Sequence, residues 1–132
     1  MIRKLTEAEC KQAIKDGDFA PEVRGAAPLT AIVLTQSWCP QWRYLAGYLE
    51  KMDAELNAGA EQGAAAADAK PKAAILTLEY DRERFYEDFL SYKERILGNH
   101  EVPYVRYYRG GALVGESNFI SAQAFKAKLT GE

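Results

Sequence analysis

The chain has 132 residues, 48% of them apolar and 27% charged, with 17 Lys and Arg against 19 Asp and Glu for a net charge of −2. Residues 1–132 are the size of one ordinary domain, large enough to hold a core without metal or disulfide staples. The near balance of charge argues against a nucleic-acid surface built on net positive charge, and two cysteines cannot frame a disulfide-rich secreted domain.

At the N-terminus, basic Arg3 and Lys4 are followed by no apolar stretch, so no secretory leader is expected. No apolar run approaches the length of a membrane span. The expectation is a cytoplasmic protein with no membrane partner. Thr6-Glu7-Ala8-Glu9 fits a capping box, with Leu5 and Cys10 in the positions of a hydrophobic staple. A first helix is therefore predicted from Thr6, with Gly17 as its stop. Residues 18–30 contain Pro21, Gly25 and Pro28 and read as a loop with a short strand around Glu22-Val23-Arg24.

Ala31 to Gln36 runs apolar and β-branched without alternation, the pattern of a central strand covered on both faces. A long helix is predicted from Pro40, because Trp42, Leu45, Leu49, Met52 and Leu56 form one apolar stripe. Residues 57–72 are rich in Ala and Gly and read as a solvated connection. Ala73 to Tyr80 is a second buried strand. Asp81 is expected to cap a helix reaching Leu97, with Phe85, Phe89, Tyr92 and Ile96 on its apolar side. Val102 to Tyr108 and Ala112 to Glu116 read as strands of a hairpin turning at Arg109-Gly110-Gly111. Ser121 caps a last helix carrying Phe125 and Leu129. Strands alternating with helices call for an α/β layered fold with parallel pairing between the buried strands.

The informative segment is Gln36-Ser37-Trp38-Cys39-Pro40-Gln41-Trp42, at the junction of a buried strand and a long helix. Proline is favoured at the first helical position, which puts Cys39 at the N-cap. Its sulfur is expected to face the free N–H groups of Gln41 and Trp42 and the positive end of the helix dipole, both of which favour thiolate over thiol. Open α/β sheets also place their sites at the carboxyl ends of parallel strands. Glu101-Val102-Pro103-Tyr104 opens a later strand. There Val102 can offer backbone groups to an extended ligand, and the bond before Pro103 can be cis.

These features together resemble the thioredoxin superfamily. Trp38-Cys39 is similar to the start of the thioredoxin Trp-Cys-x-x-Cys motif, and Cys39-Pro40 to the Cys-Pro-Tyr-Cys of glutaredoxins. Glu101-Val102-Pro103 is similar to the glutaredoxin Thr-Val-Pro. The resemblance implies a thioredoxin-like fold, a central mixed β-sheet flanked by helices on both faces. It also implies Cys39 as nucleophile, with Trp38, Pro40, Gln41, Trp42, Val102 and cis Pro103 around the substrate. The position of the resolving cysteine holds Trp42, so no Cys-x-x-Cys pair exists. Cys39 would act as a single thiol on protein or small-molecule disulfides, with glutathione or another small thiol as co-substrate and no resident cofactor or metal. The alternative is a non-catalytic thioredoxin-fold binding or adaptor module that holds peptide or protein partners beside Pro103. A peroxide-reducing cysteine is a third, weaker reading: peroxiredoxin-like sites carry Pro and Thr ahead of the cysteine at a spacing not matched here, although Thr35 lies four residues before Cys39.

Several residues have simpler readings. Cys10 fills the staple and the apolar face of its helix. Trp42 begins an apolar stripe and is expected to pack in the core, whereas Trp38 either meets substrate or covers the sheet end. His100 has no second histidine for a zinc site, and a Cys39–His100 pair needs hydrogen-bond reach. Tyr104, Arg106 and Tyr108 share one strand face, where cross-strand packing explains them as well as nucleic acid does.

Overall fold

The computed structural model describes residues 1–58 and 71–132. For residues 59–70, the connection expected over 57–72 lies outside the described residues. The elements are β1 (Ile2–Lys4), α1 (Glu7–Asp16), α2 (Pro21–Arg24), β2 (Leu29–Thr35), α3 (Pro40–Leu56), β3 (Ala73–Glu79), α4 (Tyr86–Arg95), β4 (Tyr104–Arg109), β5 (Ala112–Ser117) and α5 (Ala122–Thr130). The strands form one mixed sheet in the order β1-β3-β2-β4-β5. Pairing is parallel for β1–β3 and β2–β3 and antiparallel for β2–β4 and β4–β5.

Alternation along the central strands divides the core in two. Ile32 and Leu34 of β2 face one side with Leu76, Tyr104 and Tyr108, under α1, α2 and α4. Ala31 and Val33 face the other with Ile75, Val105 and Tyr107, under α3 and α5. This two-sided burial is why β2 and β3 read as unbroken apolar runs. On α3 the stripe of Trp42, Leu45, Leu49 and Met52 is buried against the second side. The hairpin between β4 and β5 turns at Gly110 and Gly111, both with positive φ, the conformation a two-residue turn of this hand requires.

Helix α1 opens as its sequence dictates. The Thr6 side chain accepts from the Glu9 N–H at 3.1 Å, and the Glu9 carboxylate accepts from the Thr6 N–H at 2.9 Å. Gly17 closes the helix in the left-handed region. Leu5 and Cys10 are both buried beneath it.

Three expectations are corrected. Residues 22–24 form a helical turn, not a strand. Pro21 starts that turn with a preset φ, the Arg24 N–H closes it on the Ala20 carbonyl, and Val23 drops into the core. Asp81 does not cap α4: a 3-10 turn occupies Tyr80–Arg82, and α4 starts after Phe85 without a side-chain cap. The Asp81 carboxylate is taken by Ser37, as described below. The third is β1, a strand the sequence pattern missed, because Ile2-Arg3-Lys4 offers one apolar residue. It exists because the edge of β3 is open to pair with it, Ile2 lying opposite Ile75. Among the described residues no helix is long and apolar enough to cross a membrane.

Candidate functional site at the start of α3

The register of β2 on β3 sets Thr35 beside Glu79, so both strands release their chains at the same end of the sheet. The Gln36–Cys39 segment and the Tyr80–Arg82 turn therefore meet. Asp81 fastens them: one carboxylate oxygen accepts from the Ser37 N–H at 2.7 Å and the other from the Ser37 hydroxyl at 2.5 Å. Gln36 donates to the Tyr80 hydroxyl at 3.2 Å and accepts from the Trp38 indole at 2.5 Å. A carboxylate accepting two bonds from one residue is a strong, oriented contact. It fixes the approach to α3 more firmly than the loop's own sequence suggests.

Cys39 is the N-cap of α3, with Pro40 in the first turn. Its sulfur does not face the helix N–H groups as expected, and no side-chain cap bond forms. The thiol instead turns toward β4 and donates to the Val102 carbonyl at 3.7 Å. An S–H is a weak donor, and a backbone oxygen is a better partner for it than a helix N–H is for sulfur. Cys39 is only 4% exposed and belongs to the core under α3. The Val102–Pro103 peptide bond is cis.

The other predicted site residues separate by exposure. Trp38, at 59%, stands in solvent, and Pro40 and Gln41 are also exposed. Val102 is half-buried and Pro103 buried. Trp42 is buried against the sheet, and its indole N–H donates to the Glu79 carboxylate at 2.9 Å. The seat three residues after Cys39 is thus filled by a large ring tethered to β3. An open cleft of about 310 Å³ flanks that ring, lined by Lys4, Ala46, Thr77, Arg82 and Glu83 among others.

His100 is exposed and meets Glu94 at 3.6 Å, with no hydrogen bond to Cys39. The described residues contain no cluster of metal-ligating side chains. Tyr104, Arg106 and Tyr108 lie under the helices instead of on a surface. The Arg106 guanidinium donates to the Tyr104 and Tyr108 hydroxyls at 2.8 and 2.9 Å, and approaches Glu116 and Asp18 at 3.5 and 3.7 Å.

Residues that sequence reasoning missed surround the Pro103 loop. Asn118, after β5, donates to the Pro103 carbonyl at 3.0 Å and exchanges amide bonds with Asn99 at 3.1 and 3.2 Å. The neighbouring Phe119 is exposed and meets Tyr44 of α3 edge-on at 5.6 Å. Asp81 carried a usable signal, since the last residues of adjacent parallel strands leave the sheet together. Asn99 and Asn118 carried none, because their pairing joins two loops 19 residues apart.

No protein-family model matches this sequence, and no curated protein matches it. Solved structures do match its shape. Oxidised thioredoxin O1 from Arabidopsis thaliana superposes with a TM-score of 0.65 at 13% identity, covering 98% of this chain and 96% of that one. The long form of spinach chloroplast thioredoxin f gives 0.59 at 15% identity over 98% and 84% of the two chains. Plasmodium falciparum thioredoxin gives 0.59 at 14% identity over 98% and 97%. The chain has the thioredoxin-like α/β fold, a five-stranded mixed sheet with helices on both faces.

Proposed function

We propose that this protein carries out thiol–disulfide exchange through the single thiol of Cys39, with an external thiol in place of a resolving cysteine. The observation that carries the reading is the meeting of Cys39, at the mouth of α3, with the Val102 carbonyl at 3.7 Å in front of Pro103. Substrate would lie along Val102 as an added strand, against the exposed rings of Trp38 and Phe119. Pro40 and Gln41 face solvent at the same edge.

The chemistry balances with a small thiol such as glutathione. On a mixed disulfide between a substrate thiol and glutathione, the Cys39 thiolate attacks the glutathione sulfur. The S–S bond breaks, and the substrate leaves as thiolate. A second glutathione thiolate then attacks the Cys39–glutathione disulfide, releasing glutathione disulfide and regenerating Cys39. Each mixed disulfide reduced consumes one free glutathione thiol, which leaves joined to the glutathione taken from the substrate. The cytoplasm, where thiols are kept reduced, suits such a cycle.

The test is glutathione-dependent reduction of a small mixed disulfide by the wild type and by Cys39→Ser. Activity in the first and none above background in the second is expected. Equal background activity in both favours the second reading, a binding module that holds extended peptides in the same cleft. The 4% exposure of Cys39 and the filling of the resolver seat by Trp42 favour that alternative specifically.

A further inference from the structure

Lys93, on α4, is 1% exposed, and no carboxylate forms an ion pair with it among the described residues. Lysines are almost never buried so fully without an anion. Its ammonium spends its three donors on neutral oxygens: the Asn99 carbonyl at 2.9 Å, the Glu101 carbonyl at 2.7 Å and Asn99 Oδ1 at 3.3 Å. Asn99 Oδ1 also accepts from the Glu101 N–H at 3.0 Å and from Asn118. Every one of these bonds ends on the short segment that delivers Val102 and Pro103 to Cys39. An apolar side chain of similar length would fill the space without the cost of desolvating a charge. The charge is therefore placed where its bonds shape the loop.

We propose that Lys93 is a positioning residue for Cys39: its buried amine holds residues 99–101 so that the Val102 carbonyl stays against the thiol. This deepens the single-thiol reading and rests on it for its role in exchange. The Tyr104 ring of β4 lies under the amine, its centroid 5.6 Å away, and Arg106 and Glu116 are bonded to the Tyr104 hydroxyl. Glu94 from its own helix and Glu101 from the loop are the acids whose field reaches it. Burial outweighs them and pushes the amine down to about 8. Opening the loop returns the amine to water, where it is charged up to its ordinary 10.5, so above about 8 the opening must take up a proton and the closed loop gains with pH.

Site-resolved iodoacetamide alkylation of the full chain tests the proposal, because Cys10, fully buried across the sheet, reports any general loosening. In Lys93→Met the Cys39 rate is expected to rise about tenfold, the equivalent of one lost charge-assisted bond, while Cys10 stays at the wild-type rate. A parallel rise at both cysteines, or no change at either, overturns it. A second measurement needs no variant. The hydrogen-exchange protection of the Glu101 amide in the wild type, corrected for intrinsic rate, should rise as pH passes from ~7 to ~9.5, because above about 8 the closed loop covers a neutral amine that must take up a proton when the loop opens, while α1 amides hold theirs. A flat Glu101 profile overturns the proposal even if Lys93→Met does not fold. Neither readout uses exchange activity, so a wild type no more active than Cys39→Ser ends the redox reading by itself.

Discussion

Cys10 and Cys39 make a natural comparison. Each lies at the start of a helix that follows a strand, and each is buried, on opposite faces of one sheet. At Cys10 the helix mouth is filled with acids. Burial pushes the thiol up to about 12, and the negative charges of Glu83, Glu9 and Glu7 push the same way. Cys39 has no acidic residue in the first turn of its helix, and its sulfur meets a loop carbonyl. A helix start does not make a cysteine reactive by itself. The groups that share the mouth with the sulfur decide it.

The sharpest way to break the comparison is to damage one face only. Phe89 is fully buried among Tyr80, Phe85 and Tyr92, with ring centroids 5.5 to 6.3 Å away, on the Cys10 side. Phe89→Ala should cost about 3–5 kcal/mol in chemical denaturation. It should also speed alkylation of Cys10 more than that of Cys39; the reverse order would show that the two faces open as one.

In the intact protein, iodoacetamide should modify Cys39 about a hundredfold faster than Cys10, since only local movement of a loop uncovers the first while the second needs a face of the core to open. Urea at unfolding concentrations should erase the difference. Equal rates under native conditions would remove the distinction drawn between them. A smaller effect is expected from Asp81→Ala, which strips Ser37 of both its bonds to that carboxylate. A stability loss of about 1–3 kcal/mol should accompany faster labelling of Cys39 with Cys10 unaffected.

The two cysteines also show what a sequence discloses and what it withholds. The capping box at Thr6 and Glu9, the apolar stripe of α3, the glycine hairpin and Cys39 at the helix cap were all legible, because each depends on neighbours within a few positions. The direction of the Cys39 sulfur was not, since its partner is the carbonyl of Val102, 63 residues away. Asp81 was misassigned for the same reason: capping is a local rule, and Ser37 across the sheet competed for the carboxylate and won. Nothing near Lys93 in the sequence marks it, because its oxygen partners lie on the 99–101 loop beyond the end of α4. Strand β1 owes its existence to the open edge of β3, which no reading of Ile2-Arg3-Lys4 alone supplies.

Alkaline pH gives the smallest effect, and its sign follows from the raised thiol of Cys10. In the unfolded chain that thiol ionises near its ordinary 9.0, whereas in the fold it stays protonated to about 12. Its contribution to stability is complete below about 9 and is lost progressively as pH climbs toward 12. Lys93 acts in the opposite sense: its amine is neutral in the fold above about 8 but still charged in the unfolded chain up to 10.5, so stability rises across that interval. The two oppose each other above about 9, and the wild-type curve alone would hide both. Subtracting the unfolding free energy of Cys10→Ala from that of the wild type cancels Lys93 and the buried tyrosines. The difference should fall by on the order of 1 kcal/mol between about pH 8 and about pH 10, the linkage slope of one group acting over the upper half of the interval. A difference that stays level would mean that Cys10 meets solvent in the fold as readily as in the unfolded chain.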